Sequence, residues 1–246
     1  MSSMADGNSE YDRLTRRESL LKLGGLAATV AGAGAWAGHE LLDAPTAGAA
    51  GTGPAAVASG LVSCVLAPEM TEGPYYVDGD KVRRNITEGK PGAPLLLRLT
   101  VVDVSSCKPI KGAAVDVWHA DAGGLYSEEA ALSTAGQTFL RGIQRTDAKG
   151  LSIFRTIYPG WYMGRTVHIH VKVYLGGRTV HTGQLFFPDS LTDAVYRRSP
   201  YKRRPGRDTR NATDSIFRNG GKRSLLVLRK SGNGYTGRIT MGVSRS

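Results

Sequence analysis

Two cysteines, Cys64 and Cys107, and five histidines, His39, His119, His168, His170 and His181, are all the thiol and imidazole side chains in 246 residues. With so few thiols, and a better use for both in a bridge, a thiolate metal site is disfavoured. No apolar run is long enough for a confident transmembrane helix; residues 23–37 are mildly hydrophobic but short and rich in Gly and Ala. There is no internal repeat, which excludes a solenoid, and no sign of a second folded domain. Acidic residues are in the minority, 21 against 32 basic, for a net charge of +11. The excess is densest where Arg197, Arg198, Lys202, Arg203, Arg204, Arg207 and Arg210 face only Asp208. A solvated basic surface is the reading preferred over attraction to an anionic polymer. No nucleic-acid motif accompanies the charge, so no nucleic acid is expected as a partner.

What is present begins with a leader. Thr15-Arg16-Arg17-Glu18-Ser19-Leu20-Leu21-Lys22 precedes the mildly apolar run, and small residues follow. A charged start, a modest apolar stretch and paired arginines read as a twin-arginine export signal over residues 1–44. An uncleaved anchor is the alternative, and cleavage falls near Ala35-Trp36-Ala37 or around residues 47–50. Residues 45–62 form a low-complexity Ala/Gly/Pro/Thr linker, leaving 63–246 as one folded domain. Export through that machinery places the protein outside the cytoplasm, where a Cys64–Cys107 disulfide is the default. Leu61-Val62-Ser63-Cys64 imitates a lipoprotein box but lies too far from the apolar run.

Within the domain, short alternating segments are separated by turns. Strands are predicted at 95–102, 114–118, 151–154, 167–174, 180–187, 224–228 and 237–241, with one short capped helix at 189–196. This pattern implies an all-β fold, an antiparallel β-sandwich with long loops and little helix.

The chemistry concentrates in Val167-His168-Ile169-His170-Val171-Lys172-Val173. Alternation puts both imidazoles on one face of a strand, where they can share a metal ion. A three-histidine zinc site would have to recruit His119 or His181. Tyr126 and Tyr162, each in a turn or loop near a strand, offer phenolates instead, hard ligands that favour ferric iron. Two phenolates, two imidazoles and a hydroxide would suit Fe(III). Against this stands the commoner role of such tyrosines as packing residues.

Several separated motifs now converge. Val115-Asp116-Val117-Trp118-His119-Ala120 is followed by Gly124-Leu125-Tyr126-Ser127, Pro159-Gly160-Trp161-Tyr162, Arg165-Thr166-Val167-His168-Ile169-His170 and Thr182-Gly183-Gln184. Thr71-Glu72-Gly73-Pro74-Tyr75-Tyr76 stands at the domain start. In this order they resemble the intradiol ring-cleavage dioxygenases, over most of the stretch from Cys64 to about Asp189. The resemblance implies one non-haem Fe(III) per chain, held by Tyr126, Tyr162, His168 and His170. It implies that Tyr162 leaves the metal when a catechol binds and helps take up a substrate proton. Arg165 would stabilise developing negative charge, Gln184 would be its polar companion, and Pro74 and Tyr75 would line the substrate mouth. His119 belongs to a family motif without being a ligand, and is expected to be a buried, hydrogen-bonded strand residue. The implied reaction joins a catechol-type substrate and O₂ and breaks the bond between the two hydroxylated carbons, giving a cis,cis-muconate-type diacid.

Two departures matter. The helical dimerisation segment of the family's cytoplasmic enzymes is replaced by leader and linker, so their assembly does not carry over. The loop from Tyr162 to His168 is shorter, which with export favours substituted or bulky catechols such as plant-polymer fragments. A secreted binding module without turnover and a zinc hydrolase are the competing readings; the second lacks an obvious carboxylate base near the histidine strand.

Overall fold

A computed structural model describes residues 65–79 and 81–245 of the chain. The leader, the linker and Cys64, hence the expected disulfide to Cys107, lie outside the described residues. Among the described residues no helix is long and apolar enough to cross a membrane.

Eight strands form two four-stranded sheets. The first sheet holds β1 (Pro94–Asp103), β4 (Leu151–Ile157), β7 (Val227–Ser231) and β8 (Gly234–Val243), in the order β4-β1-β8-β7. The second holds β2 (Ala114–Trp118), β3 (Arg141–Arg145), β5 (His168–Leu175) and β6 (Arg178–Phe186), in the order β3-β2-β5-β6. The inner faces meet in one apolar core. Leu95, Leu97, Leu99 and Val101 of β1 pack in the same cluster as Val115 and Val117 of β2 and Ile169, Val171 and Val173 of β5. These are the alternate residues that the period-2 patterns mark as inward-facing. The all-β sandwich is therefore the fold.

All strand pairs but one are antiparallel. The exception joins β1 to β8 in parallel register, from Leu95 beside Tyr235 to Asp103 beside Val243. Neighbours distant in sequence carry no local turn to report them, so this pairing is invisible in the motif pattern. Strand β3 was not expected either, because Arg141-Gly142-Ile143-Gln144-Arg145 offers one apolar side chain. It forms by pairing with β2. The strand expected at 224–228 starts at Val227, after a 3-10 turn at Gly221–Ser224.

Helix α1 (Asp189–Tyr196) occupies the expected span without a side-chain cap. Asp189 instead accepts from the Arg207 guanidinium and the Asn211 amide. That contact also corrects the view of the basic stretch as a solvated surface. Arg207, 6% exposed in its side chain, bridges Asp189 and Asp193, and Arg210 also pairs with Asp193. Arg204 lies over the Trp161 ring, 3.9 Å from its centroid, and donates to the carbonyls of Gly123 and Trp161. Three of the seven cations thus tie the loop after α1 to the body, while Arg197, Arg198, Lys202 and Arg203 are exposed.

Arg207→Met should lower stability in urea denaturation by about 1–3 kcal/mol, through its unpaired carboxylate partners. Arg197→Ala should stay within about 0.5 kcal/mol of the parent. Equal effects would contradict this division of the basic stretch.

Candidate metal centre

Strand β5 carries the centre because its two faces do different work. Ile169, Val171 and Val173 enter the sandwich core, so His168 and His170 must point from the opposite face of the second sheet. Loops cover that face, and both imidazoles are 3% exposed or less. His168 Nδ1 lies 2.6 Å from the Thr166 carbonyl oxygen. It must carry the proton there, which leaves Nε2 with a free lone pair. Nε2 of His168 lies 3.0 Å from Nε2 of His170 and 3.2 Å from the Tyr162 hydroxyl. The His170 ring is stacked on Trp118, centroids 4.9 Å apart and planes within 6°. Burial lowers the His168 pKa to about 3, helped by nearby Arg165, and pushes His170 well below its usual value. Both rings are therefore neutral at physiological pH, the form that ligates a metal.

The two tyrosines arrive on interlocked loops. Asp121 shapes the first, accepting from the amides of Gly123 and Leu125. Gly160 of the second donates to the Asp121 carbonyl at 2.9 Å. At this crossing a Cβ on Gly160 would sit 2.3 Å from the Asp121 oxygen, and one on Gly124 would sit 2.1 Å from the Trp161 oxygen. Gly124 also has φ +83°, which a side chain resists. The glycines of both tyrosine motifs thus let the loops touch and hold Tyr126 and Tyr162 together, ring centroids 5.6 Å apart.

Tyr126 is 1% exposed, and its buried hydroxyl makes no well-formed hydrogen bond. Burial, reinforced by the neighbouring Tyr162 phenol, raises its pKa well above the usual value. Burial also raises that of Tyr162, though Arg165 opposes the rise. A deeply buried, unsatisfied phenol beside two neutral imidazoles is a costly arrangement for the protein alone. It is rational if a multivalent cation takes all three. Two phenols and two imidazoles suit a hard, highly charged ion, so the residues present fit Fe(III). Among the described residues no cluster of three His, Cys, Asp or Glu side chains could hold a metal. His119 is engaged through both ring nitrogens, with the Ala120 carbonyl and the Thr156 hydroxyl; its pKa is lowered to about 4 by burial. It is the structural residue expected. His181 faces Glu69. Neither joins the pair on β5, which removes the geometric basis for a three-histidine zinc site.

The other expected residues surround the centre. Tyr75 stacks on Tyr126 at 4.3 Å and meets Tyr162 edge-on at 5.9 Å. Pro74 is exposed next to it. Gly73 lies against His170, where a Cβ would come within 3.2 Å of Cε1. Arg165 donates through its guanidinium to the Gln184 side-chain oxygen, and Gln184 donates to the Thr71 carbonyl. Gln184 and His170 are register partners on β6 and β5.

One residue of this network was missed. Asp214 is wholly buried in its side chain and holds Arg165 Nε at 2.8 Å. The same oxygen accepts from the Thr166 amide, and the other caps helix α2 (Ser215–Arg218) through the Phe217 amide. Asp before a short apolar turn is an N-cap signal, but nothing local connects it to an arginine 49 residues earlier.

The Dioxygenase family model matches residues 68–196. A solved intradiol ring-cleavage dioxygenase from Tetranychus urticae is 36% identical, covering 74% of this chain and 95% of that one with a TM-score of 0.69. This chain belongs to the intradiol ring-cleavage dioxygenase family. Another family structure is the dioxygenase domain of a dioxygenase carbohydrate-binding protein fusion from Streptomyces sp. SirexAA-E. It is 34% identical over 74% of this chain and all of that one, with a TM-score of 0.58. Catechol 1,2-dioxygenase 1 of Acinetobacter lwoffii is 34% identical over 100 residues, 39% of this chain. The match spans only 32% of that intradiol enzyme's length.

Two outcomes follow for the metal-free protein. Tyr126→Phe should be as stable as the parent or up to about 1 kcal/mol more stable by thermal denaturation, since it deletes an unsatisfied buried hydroxyl; a clear loss would contradict the role assigned to that hydroxyl. The Asp214 pKa is raised by burial but lowered more by its hydrogen bonds with Phe217, Thr166 and Arg165, for a net fall from 3.8. Its ionised form therefore stabilises the fold above pH 3.8, and that contribution fades as pH drops through the lower native value. Asp214→Asn should lose less stability than the parent between about pH 5 and pH 2, measured by urea titration at each pH.

Proposed function

We propose that this chain is a non-haem Fe(III) dioxygenase that uses O₂ to cleave catechol-type aromatics between their hydroxylated carbons, giving cis,cis-muconate-type diacids. The observation that carries it is the convergence of the Tyr162 hydroxyl and His170 Nε2 on His168 Nε2, both imidazoles neutral, beside the buried Tyr126. Names borne by relatives, among them catechol and protocatechuate dioxygenases, support the same reaction class.

Tyr126, Tyr162, His168 and His170 would hold the iron. Ferric iron so held supplies chelation of the catecholate and activation of its ring toward O₂. The protein's own groups do the rest. Tyr162 is the ligand suited to leave, being less buried than Tyr126 and in a loop with exposed Met163. Its phenolate then takes a catechol hydroxyl proton. Arg165 makes that phenolate less costly and presents fixed positive charge to the ring as it becomes electron-rich. Asp214 and Gln184 hold the guanidinium from two sides. Tyr75, over Tyr126, shields the ring from water. Pro74 extends that wall to the mouth.

Met163 is 80% exposed and Leu125 39% exposed, each next to a ligand tyrosine. This apolar rim supports substituted or bulky catechols as substrates over catechol alone. The paired arginines Arg16-Arg17 support export by a twin-arginine route, and Cys107, which is not a free thiol, supports the disulfide to Cys64.

The test is the visible spectrum of the purified protein, with and without a catechol under nitrogen. A red-brown band that shifts on catechol addition is expected, with Tyr126→Phe and His168→Ala losing it. Arg165→Ala should keep the band and the shift but turn over about 10²–10³-fold more slowly. A protein that stays colourless after ferric loading would overturn the assignment. Zinc on elemental analysis would then favour a hydrolase, and no metal a binding module. Turnover of unsubstituted catechol alone would remove the preference for bulky rings.

A further inference from the structure

A cavity of about 890 Å³ opens beside the first sheet and reaches β6 of the second at His181, Gln184 and Leu185. Four cations line it: Arg98 of β1, Lys149 of the turn before β4, Arg223 of the 3-10 turn and Arg238 of β8. No carboxylate lines it. Among the described residues none of these four side chains forms a hydrogen bond or ion pair within the protein. Two acids stand just outside the lining: Asp147, which feels Lys149 and Arg98 while its Oδ1 accepts from the Lys149 and Leu151 amides, and Glu69, which is held by His181.

Arg98 and Arg238 are register partners on adjacent parallel strands, about 4.8 Å apart across the sheet. Like charges placed so destabilise a sheet. An anion between them removes that cost. The rest of the lining mixes polar groups, Thr100, His181, Gln184, Ser224 and Thr240, with an apolar stretch. Val65, Leu66 and Val227, 42%, 49% and 60% exposed, are three of the six large hydrophobic side chains left exposed among the described residues, and all three line this cavity with Leu151 and Ile239. Solvent-facing aliphatics gathered under unpaired cations describe a ligand with an apolar body and a negative head. No Phe, Tyr or Trp lines it, so there is no platform for stacking nucleic-acid bases.

We propose that this cavity binds a small organic carboxylate with an apolar body, its carboxylate between Arg98 and Arg238 and its body against Val65, Leu66 and Val227. The site is independent of the iron assignment. Its outer lip touches β6 at Gln184, whose side chain turns the other way to hold Arg165.

The test uses the full-length protein and octanoate as the probe, followed by calorimetry with 4-nitrocatechol saturating the metal centre and again without it. Saturable one-to-one binding is expected in both conditions, with 1-octanol binding at least about tenfold more weakly. Arg98→Ala and Arg238→Ala should each weaken octanoate at least about tenfold. Without octanoate, neither should lower the melting temperature, because each relieves the like-charge pair. Octanoate displaced by 4-nitrocatechol, no saturable binding, or affinity unchanged in both variants would overturn the proposal. Tighter binding of a polyanion such as polygalacturonate, with none of octanoate, would also overturn it.

Discussion

Strand β5 has to satisfy two opposite environments with alternate residues. Ile169, Val171 and Val173 close the sandwich core, and His168, His170 and Lys172 face a second, loop-covered layer. Neither set can move without the other, because a one-residue slip in register would put imidazoles into the core and valines beside Tyr126 and Tyr162. The partners on either side hold the register: Trp118 of β2 opposite His170, and Gln184 of β6 opposite it on the other side. Packing energy in the core is thus what fixes the positions of the polar donors. The candidate ligands are placed by the strand that carries them.

The layer outside β5 is organised differently, by polar bonds and close backbone contact. Asp214, Arg165, Gln184 and the Thr71 carbonyl form a continuous chain of buried hydrogen bonds. A buried carboxylate this well satisfied keeps its charge, and so keeps the guanidinium oriented. The interlocked glycines at 124 and 160 do for the phenols what Asp214 does for the guanidinium. Rigid placement of polar groups is what electrostatic catalysis requires.

Much of this was legible because it is local. The His-x-His alternation, the Tyr126 and Tyr162 turns and the span of α1 each fit within ten residues, where period and turn chemistry apply. What escaped was long-range. Strand β3 exists because β2 is beside it, and its Arg141 is buried against Ser127, which no apolar pattern announces. The basic stretch looked solvated because the acids that bind Arg207 and Arg210 sit a helix earlier in the chain. Asp214 carried a visible cap signal with no hint of its second use.

The parallel pairing of β1 with β8 has a consequence for the order of events in synthesis. Strand β8 lies in the middle of its sheet, between β1 and β7, and Leu95 meets a partner 140 residues further on, at Tyr235. Until that late segment leaves the ribosome, β1 has β4 on one side and an open backbone edge on the other. The growing chain therefore carries an adhesive strand edge from the emergence of β1 to that of β8. Folding of this sheet waits for β8, and a cell that makes the protein must keep that edge from pairing with a neighbour in the meantime.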